Sequence, residues 1–281
     1  MAEADIRSSA AAEIDRALAR SILYEALALG FRPPGAETRR RLCARDSACA
    51  LASAATFLDG DGKAELAGAV LRLAGDPESA SPGALEASYN RLFGHTTRGS
   101  LSAYETEYGE DTAFQQPQQL SDVSGFLAAF GLQADARWRE RVDHVSVECE
   151  FLAFLARKEA YAVEHREEPM LKETRRGFRL FVRDHLGRFA PALGKLLLRE
   201  DPRGFYGALG ELCRRFVVLE CARLDVPCGP EFLPLRVPSE DSTPMACGTA
   251  GELIQIGGGA ASRAEPPLPS RDETGSGGEQ G

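Results

Sequence analysis

Most of what would announce an enzyme is missing from this 281-residue chain. It has no GxxxxGK[ST] loop and no GxGxxG turn after a strand, so no phosphate cradle for an ATPase or a dehydrogenase is legible. Neither HExxH nor the ExxH pair of di-iron bundles occurs. No serine or cysteine motif offers a nucleophile beside a histidine. The seven cysteines (Cys43, Cys49, Cys149, Cys213, Cys221, Cys228 and Cys247) contain no CxxC pair and no zinc-finger spacing, and read as reduced thiols. The roles of Cys221, Cys228 and Cys247 stay open at this point. There is no apolar run of about 18 residues to span a bilayer. The first residues lack both a basic region and an apolar core of the secretory kind. Together these absences predict a cytoplasmic protein.

Positive charge has its own gap. From Leu101 to Ala136 there is no Lys, Arg or His, while Glu105, Glu107, Glu110, Asp111, Asp122 and Asp135 all fall inside the stretch. Tyr104, Tyr108, Phe114, Phe126 and Phe130 are interleaved with them. Such a segment repels nucleic-acid backbones. It suits a cationic, partly apolar peptide, with carboxylates for arginine and aromatic faces for guanidinium stacking. The net charge of −9 points the same way.

What is present is helical periodicity. Ile14, Leu18, Ile22, Leu23 and Leu27 share one stripe, which Pro33-Pro34 stops. Further helices are expected at 37–58, 63–73, 83–93, 118–130, 139–164, 169–189 and 202–224. Asp61 and Ser81 are expected as caps, Pro82, Pro169 and Pro202 in first turns, and Gly131 as a helix stop. The 94–116 loop reads as non-helical. No strand ladder or fixed-period repeat is evident. The predicted fold is all-α, a globular bundle of about eight to ten helices over 1–226. An extended arm is expected over 227–256, anchored by Phe232, Leu233, Leu235, Leu253 and Ile256, and a disordered Gly-rich tail over 257–281.

Two constellations stand out. Asp143-His144 precedes Glu148, which shares a helix face with His144 if both are helical. One reading is a polar site where Asp143 orients the imidazole and a cationic ligand meets the carboxylates. The other has Asp143 satisfying the helix N-terminus, with His144 packed beside it. Tyr89, Tyr104, Tyr108 and Trp138 flank the acidic stretch and are candidates to line a groove. Leu92, Phe93, Phe126, Leu127, Phe130, Phe151, Leu152, Phe154 and Leu155 read nearly all as core.

These segments resemble the TorD-like family of cytoplasmic molybdoenzyme chaperones, which includes the DmsD and NarJ branches. A Y-x-x-L-F motif is matched by Tyr89, Leu92 and Phe93, and a PYET-like loop by Ala103 to Thr106. DVSGFLAAFGL (Asp122 to Leu132) resembles the helix that follows. A P-D-H entry leading to E-x-E-F is matched by Val142-Asp143-His144 and Glu148 to Phe151. F-x-x-x-H-L-x-x-W-x-P is matched by Phe181, His185, Leu186, Phe189 and Pro191. Ala103 and Val142 stand where the family has proline, and Phe189 where it has tryptophan. The lost prolines would loosen the loop and the helix entry.

The resemblance implies a non-catalytic chaperone without a metal or cofactor of its own. Its partner would be the immature catalytic subunit of a molybdenum-cofactor oxidoreductase, held through a twin-arginine leader. Tyr104, Glu105, Glu107, Tyr108, Asp143, His144 and Glu148 are the expected client-binding residues, with a hinge near 94–99. Tyr89, Leu92, Phe93, His185, Leu186 and Pro191 are expected to be structural. Monomer and dimer both remain open. The rival reading is a helical metal-dependent enzyme using His144, Glu148 and the loop carboxylates.

Overall fold

Apolar stripes at helical spacing decide the packing. A computed structural model of the chain describes residues 2–59, 64–75, 80–94, 101–109, 115–133 and 140–236. The first helix, α1 (Ala2–Phe31), buries Leu23, Tyr24, Leu27 and Phe31 against α7 (Val145–Glu164), whose Phe151, Leu152 and Leu155 face it from the same core. Each such side chain contributes on the order of 1.5–3 kcal/mol by leaving water.

The expected helix over 37–58 is interrupted. A short α2 (Ala36–Thr38) runs into a π turn (Arg39–Cys43), and Ala44 is extended before α3 (Arg45–Asp59). The wider turn carries Leu42 into the core and leaves Arg40 and Arg41 exposed. The next helix, α4 (Glu65–Leu73), starts on the Asp59 carboxylate, which accepts from the Leu66 and Ala67 amides at 2.9 and 3.2 Å. The expected cap, Asp61, lies outside the described residues. For α5 (Pro82–Phe93) the expected start holds: Ser81 Oγ accepts from Ala84 N at 3.4 Å, with Pro82 in the first turn. The sixth helix, α6 (Gln115–Ala129), ends as expected at Gly131, in the left-handed region at φ 73°.

Two helix boundaries near the candidate site differ from the sequence reading. The helix expected from 139 begins only at Val145, because the residues before it form a turn, His144 N to Arg141 O, that ends in a bridge between His144 and Tyr104. The helix expected over 169–189 is two, α8 (Glu168–Asp184) and α9 (Leu186–Glu200), broken at His185. His185 leaves the helical path (φ −124°, ψ −100°), and its ring meets Glu105 across the core. The last helix is α10 (Phe205–Leu224). No described helix is long and apolar enough to cross a membrane.

Pro191 sits inside α9 rather than at a terminus. Having no N–H, it leaves the carbonyl four residues back, Gly187 O, without its helical donor. Gly229 N fills that place at 2.8 Å. A proline within α9 thus creates the docking point for the arm that follows α10. The described part of the arm, 226–236, runs extended, and Leu233 and Leu235 pack on the core as expected. Phe232 does not: in the extended chain it falls on the opposite side from Leu233 and Leu235, and it is 78% exposed. Leu253, Ile256 and the tail lie outside the described residues.

A buried polar network joins four helices. Tyr24 OH donates to Glu220 at 3.2 Å, and Arg223 chelates the same carboxylate at 2.7 and 2.9 Å. Arg20 reaches Glu159 at 2.5 Å, and Arg175 reaches it at 2.9 Å. Glu220 is fully buried and Glu159 nearly so, so each carboxylate depends on its cations.

Candidate functional site

The 101–109 segment is held on two sides by extended chain. On one side Glu105 N donates to Asp143 O at 2.9 Å and Val145 N to Ala103 O at 2.8 Å, placing Tyr104 opposite His144. On the other side Gly109 N donates to Pro234 O at 2.9 Å and Arg236 N to Glu107 O at 2.8 Å, placing Tyr108 opposite Leu235. The middle closes into one 3₁₀ turn, Glu105–Glu107. The arm therefore straps the segment that the sequence marks as the site.

Asp143 is fully buried and is the hub of the inner side. Its carboxylate accepts from Thr106 N at 3.2 Å, Thr106 Oγ1 at 2.8 Å, and Arg141 Nε and Nη2 at 2.9 and 2.6 Å. The reading in which Asp143 caps the helix is corrected here, because its acceptors are all spent on the loop and Arg141. The cap of α7 is His144, whose Nδ1 accepts from Ser146 N at 3.2 Å and lies 2.7 Å from Ser146 Oγ. Burial pushes the imidazole below its ordinary range, in keeping with an acceptor nitrogen.

Arg141 answers the missing positive charge. It joins Asp143 to Glu107 (3.4 Å), and its guanidinium lies 4.6 Å over the Tyr104 ring. The hydrogen bond to Asp143, foremost, raises its own pKa. Glu105, 4% exposed, meets His185 Nδ1 at 2.9 Å and Arg188 at 3.6 Å, and Asp122 approaches His185 Nε2 at 3.3 Å. Tyr108 packs on Phe189, and its hydroxyl donates to Ser102 O at 2.6 Å. Glu148 is fully buried with neither carboxylate oxygen hydrogen-bonded. Burial, then the charges of Glu105 and Asp143, hold it well above the usual carboxylate range, so it sits there as a neutral acid.

Of the seven expected client-binding residues, Glu105, Tyr108, Asp143, His144 and Glu148 are buried, and only Tyr104 and Glu107 reach the surface. Tyr104 OH donates to Glu140 at 2.6 Å, and its ring meets His144 edge-on. Tyr89 is half-buried beside Phe93 and Tyr206; burial and the charge of Glu140 push its hydroxyl up to about 12. Leu92, His185, Leu186 and Pro191 are buried, and Phe93 is half-buried. Trp138, and the hinge residues after Gly94, lie outside the described residues. Among the described residues no three His, Cys, Asp or Glu side chains are placed to hold a metal ion.

Beside Tyr104 and Glu140 a groove of about 530 Å³ opens between α1, the end of α6 and α7. Its floor is Ala28, Leu29, Leu127, Val147, Phe151 and Phe154, and its rim carries Glu25, Glu37, Glu140 and Glu150 with Arg32, Arg41 and Arg157. The rim charges are paired: Arg32 with Glu150, Arg157 with Glu25, and Arg41 with both Glu25 and Glu37 at 3.3 Å. Sequence reasoning missed this groove and the roles of Glu140 and Arg141. The available signal was the return of cations at Arg137, Arg139 and Arg141, directly after the stretch that has none.

An all-helical bundle with a strapped, internally neutralised loop is the class that fold and site define. The family model described as nitrate reductase delta subunit matches residues 57–194. The TorD chaperone of Vibrio parahaemolyticus serotype O3:K6 (strain RIMD 2210633) is 25% identical over 142 residues, 50% of this chain and 64% of that protein. The perchlorate reductase assembly chaperone protein of Dechloromonas aromatica (strain RCB) is 27% identical over 223 residues, 73% of this chain and 89% of that one. These matches support a TorD-like family for the chain, as its five motifs imply. The relatives are named as chaperones, which are not enzymes.

Proposed function

We propose that this protein is a system-specific chaperone for the immature catalytic subunit of a molybdenum-cofactor oxidoreductase. In this reading it works in the cytoplasm, holds the client through its twin-arginine leader, and assists cofactor insertion and export proofreading. The observation that carries the proposal is the cluster of Arg141 with Asp143, Glu107 and the Tyr104 ring, next to an apolar groove with a carboxylate rim. The chain already binds one guanidinium of its own there, by ion pairing and by stacking. A leader brings two more guanidiniums beside an apolar stretch, and the groove supplies the matching floor and rim.

Roles divide by exposure. Tyr104 and Glu107 touch the client, together with Glu140 and Glu150 on the rim. Glu105, Tyr108, Asp143, His144 and Glu148 act from beneath by fixing the loop. Because the rim carboxylates already have partners, a client arginine exchanges with Arg32 or Arg157 rather than filling a vacancy. Each exposed pair is then worth about 0–1 kcal/mol, and the apolar floor supplies the larger share.

The test is calorimetric titration of the full chain with a twin-arginine leader peptide and its twin-lysine counterpart, beside capture of the immature subunit. Micromolar binding that weakens in the lysine peptide and in Glu140→Gln supports the reading. Absence of binding both to the peptides and to the immature subunit overturns it.

A further inference from the structure

Cys221 and Cys228 are seven residues apart, one at the end of α10 and one at the root of the arm, and the turn between them brings Cys228 back beside Cys221. Cys221 is 1% exposed, whereas Cys228 is exposed. The contact is held from three directions. Val226 N bonds back to Cys221 O at 3.0 Å, turning the chain sharply after α10. Gly229 N is fixed on Gly187 O at 2.8 Å, in the place that Pro191 leaves open. A Cβ on Gly187 would lie only 3.1 Å from Cys221 Sγ, so the sulfur is packed against the start of α9. One accessible thiol thus faces one sheltered thiol across a short, anchored turn.

We propose that Cys221 and Cys228 form a hydroperoxide-sensitive dithiol, a modification site whose disulfide pins the root of the arm that straps the 101–109 segment. Nucleophile and resolving group are set by exposure. Hydrogen bonding from Cys221 lowers the Cys228 thiol below its ordinary range, and the same contact, then burial, raises Cys221. The Cys228 thiolate attacks one peroxide oxygen; the O–O bond breaks, Cys228 becomes a sulfenic acid, and the other oxygen leaves as alkoxide or hydroxide and takes up a proton. The Cys221 sulfur then attacks the Cys228 sulfur. The S–S bond forms, the S–O bond breaks, and the departing hydroxide takes the Cys221 proton to leave as water. The two thiols lose two electrons and the peroxide gains them. A cellular thiol reverses the step by disulfide exchange.

The remaining described cysteines serve as internal controls. Cys49 is exposed, Cys43 is half-buried with its thiol pushed up to about 11 by burial, and Cys149 and Cys213 are buried, with their thiols pushed up by burial, Cys213 to about 12.

The experiment treats the full reduced chain with hydrogen peroxide at a few equivalents, blocks free thiols, and digests with trypsin for mass spectrometry. Cleavage after Arg223 separates FVVLECAR from LDVPCGPEFLPLR, so the disulfide reads as these two peptides joined with loss of two hydrogens. The expected result is this linked pair, formed before Cys49 is oxidised and reversed by dithiothreitol. In Cys221→Ser, Cys228 instead accumulates as a sulfenic acid trapped by dimedone. Oxidation of Cys49 first, joining of Cys228 to another cysteine, or over-oxidation of Cys228 without the link overturns the dithiol. Hydrogen exchange on the oxidised wild type reads the second part: the Arg236 amide slows several-fold, and unchanged exchange there overturns the pinning. Neither readout needs a client, so failure of the chaperone reading leaves this test intact.

Discussion

Replacing Asp143 with alanine removes the acceptor for four hydrogen bonds in one step. The Thr106 amide and hydroxyl stay buried, and a buried donor left without a partner costs about 1–3 kcal/mol. The Thr106 hydroxyl still accepts from Arg141 Nη2 at 2.5 Å, but its own proton, like the amide's, loses its acceptor. Losing a partner from a fully buried ion pair costs roughly 3–5 kcal/mol. Here the Arg141 side chain is 42% exposed and regains water, so its share is discounted. The expected destabilisation is about 2–4 kcal/mol for Asp143→Ala. Asp143→Asn keeps an acceptor for Thr106 and should cost about 1–2 kcal/mol. Urea unfolding followed by far-ultraviolet circular dichroism measures both. A cost below about 1 kcal/mol for the alanine variant, or equal costs for the two, would refute the scaffold role of Asp143.

Other perturbations test separate parts of the fold. Glu148 has a raised pKa, so its contribution to stability is complete below about pH 4.5 and is lost as pH rises through the folded-state value. Glu148→Gln should therefore flatten the pH dependence above about 4.5, and a profile that matches wild type counts against a neutral buried acid. His144 has the opposite sign: its lowered pKa favours the fold above about 6.5 and stability falls as pH drops below that. Glu220→Ala strips Tyr24 and Arg223 of their shared acceptor and should lower stability by about 2–4 kcal/mol; a change under about 0.5 kcal/mol in urea unfolding contradicts the network's role. Pro191→Ala restores an N–H that competes for Gly187 O, so the Gly229 amide should exchange faster with the helix intact. Unchanged Gly229 exchange would show that the arm does not depend on the proline.

Much of the bundle was legible because apolar spacing and caps act locally. Ser81-Pro82, Gly131 and the Leu23 and Leu27 positions of the first stripe need no distant partner to take their conformations, whereas Leu18 and Ile22 of the same stripe are exposed. The misplaced boundaries fell where a distant contact overrides local preference. His185 breaks a helix because Glu105, eighty residues earlier, binds its ring. Residues 141–144 turn instead of starting the helix, because Asp143 O and Val145 N are taken by Glu105 N and Ala103 O. Pro191 lies beyond the helix end expected at 189, yet α9 continues through it, and the arm supplies the donor that the proline lacks. In the candidate site, residue types were legible and exposure was not. Carboxylates in a stretch lacking cations look free until folding brings Arg141, His185 and Arg188 onto them.

The most direct test of the central claim is hydrogen exchange of the full chain with and without a saturating twin-arginine leader peptide. The account predicts new protection along 25–41 and 146–157, which frame the groove, and little change at the already buried Glu105 and Asp143 backbone. Protection confined to α8, α9 and α10, with the groove unchanged, would contradict it.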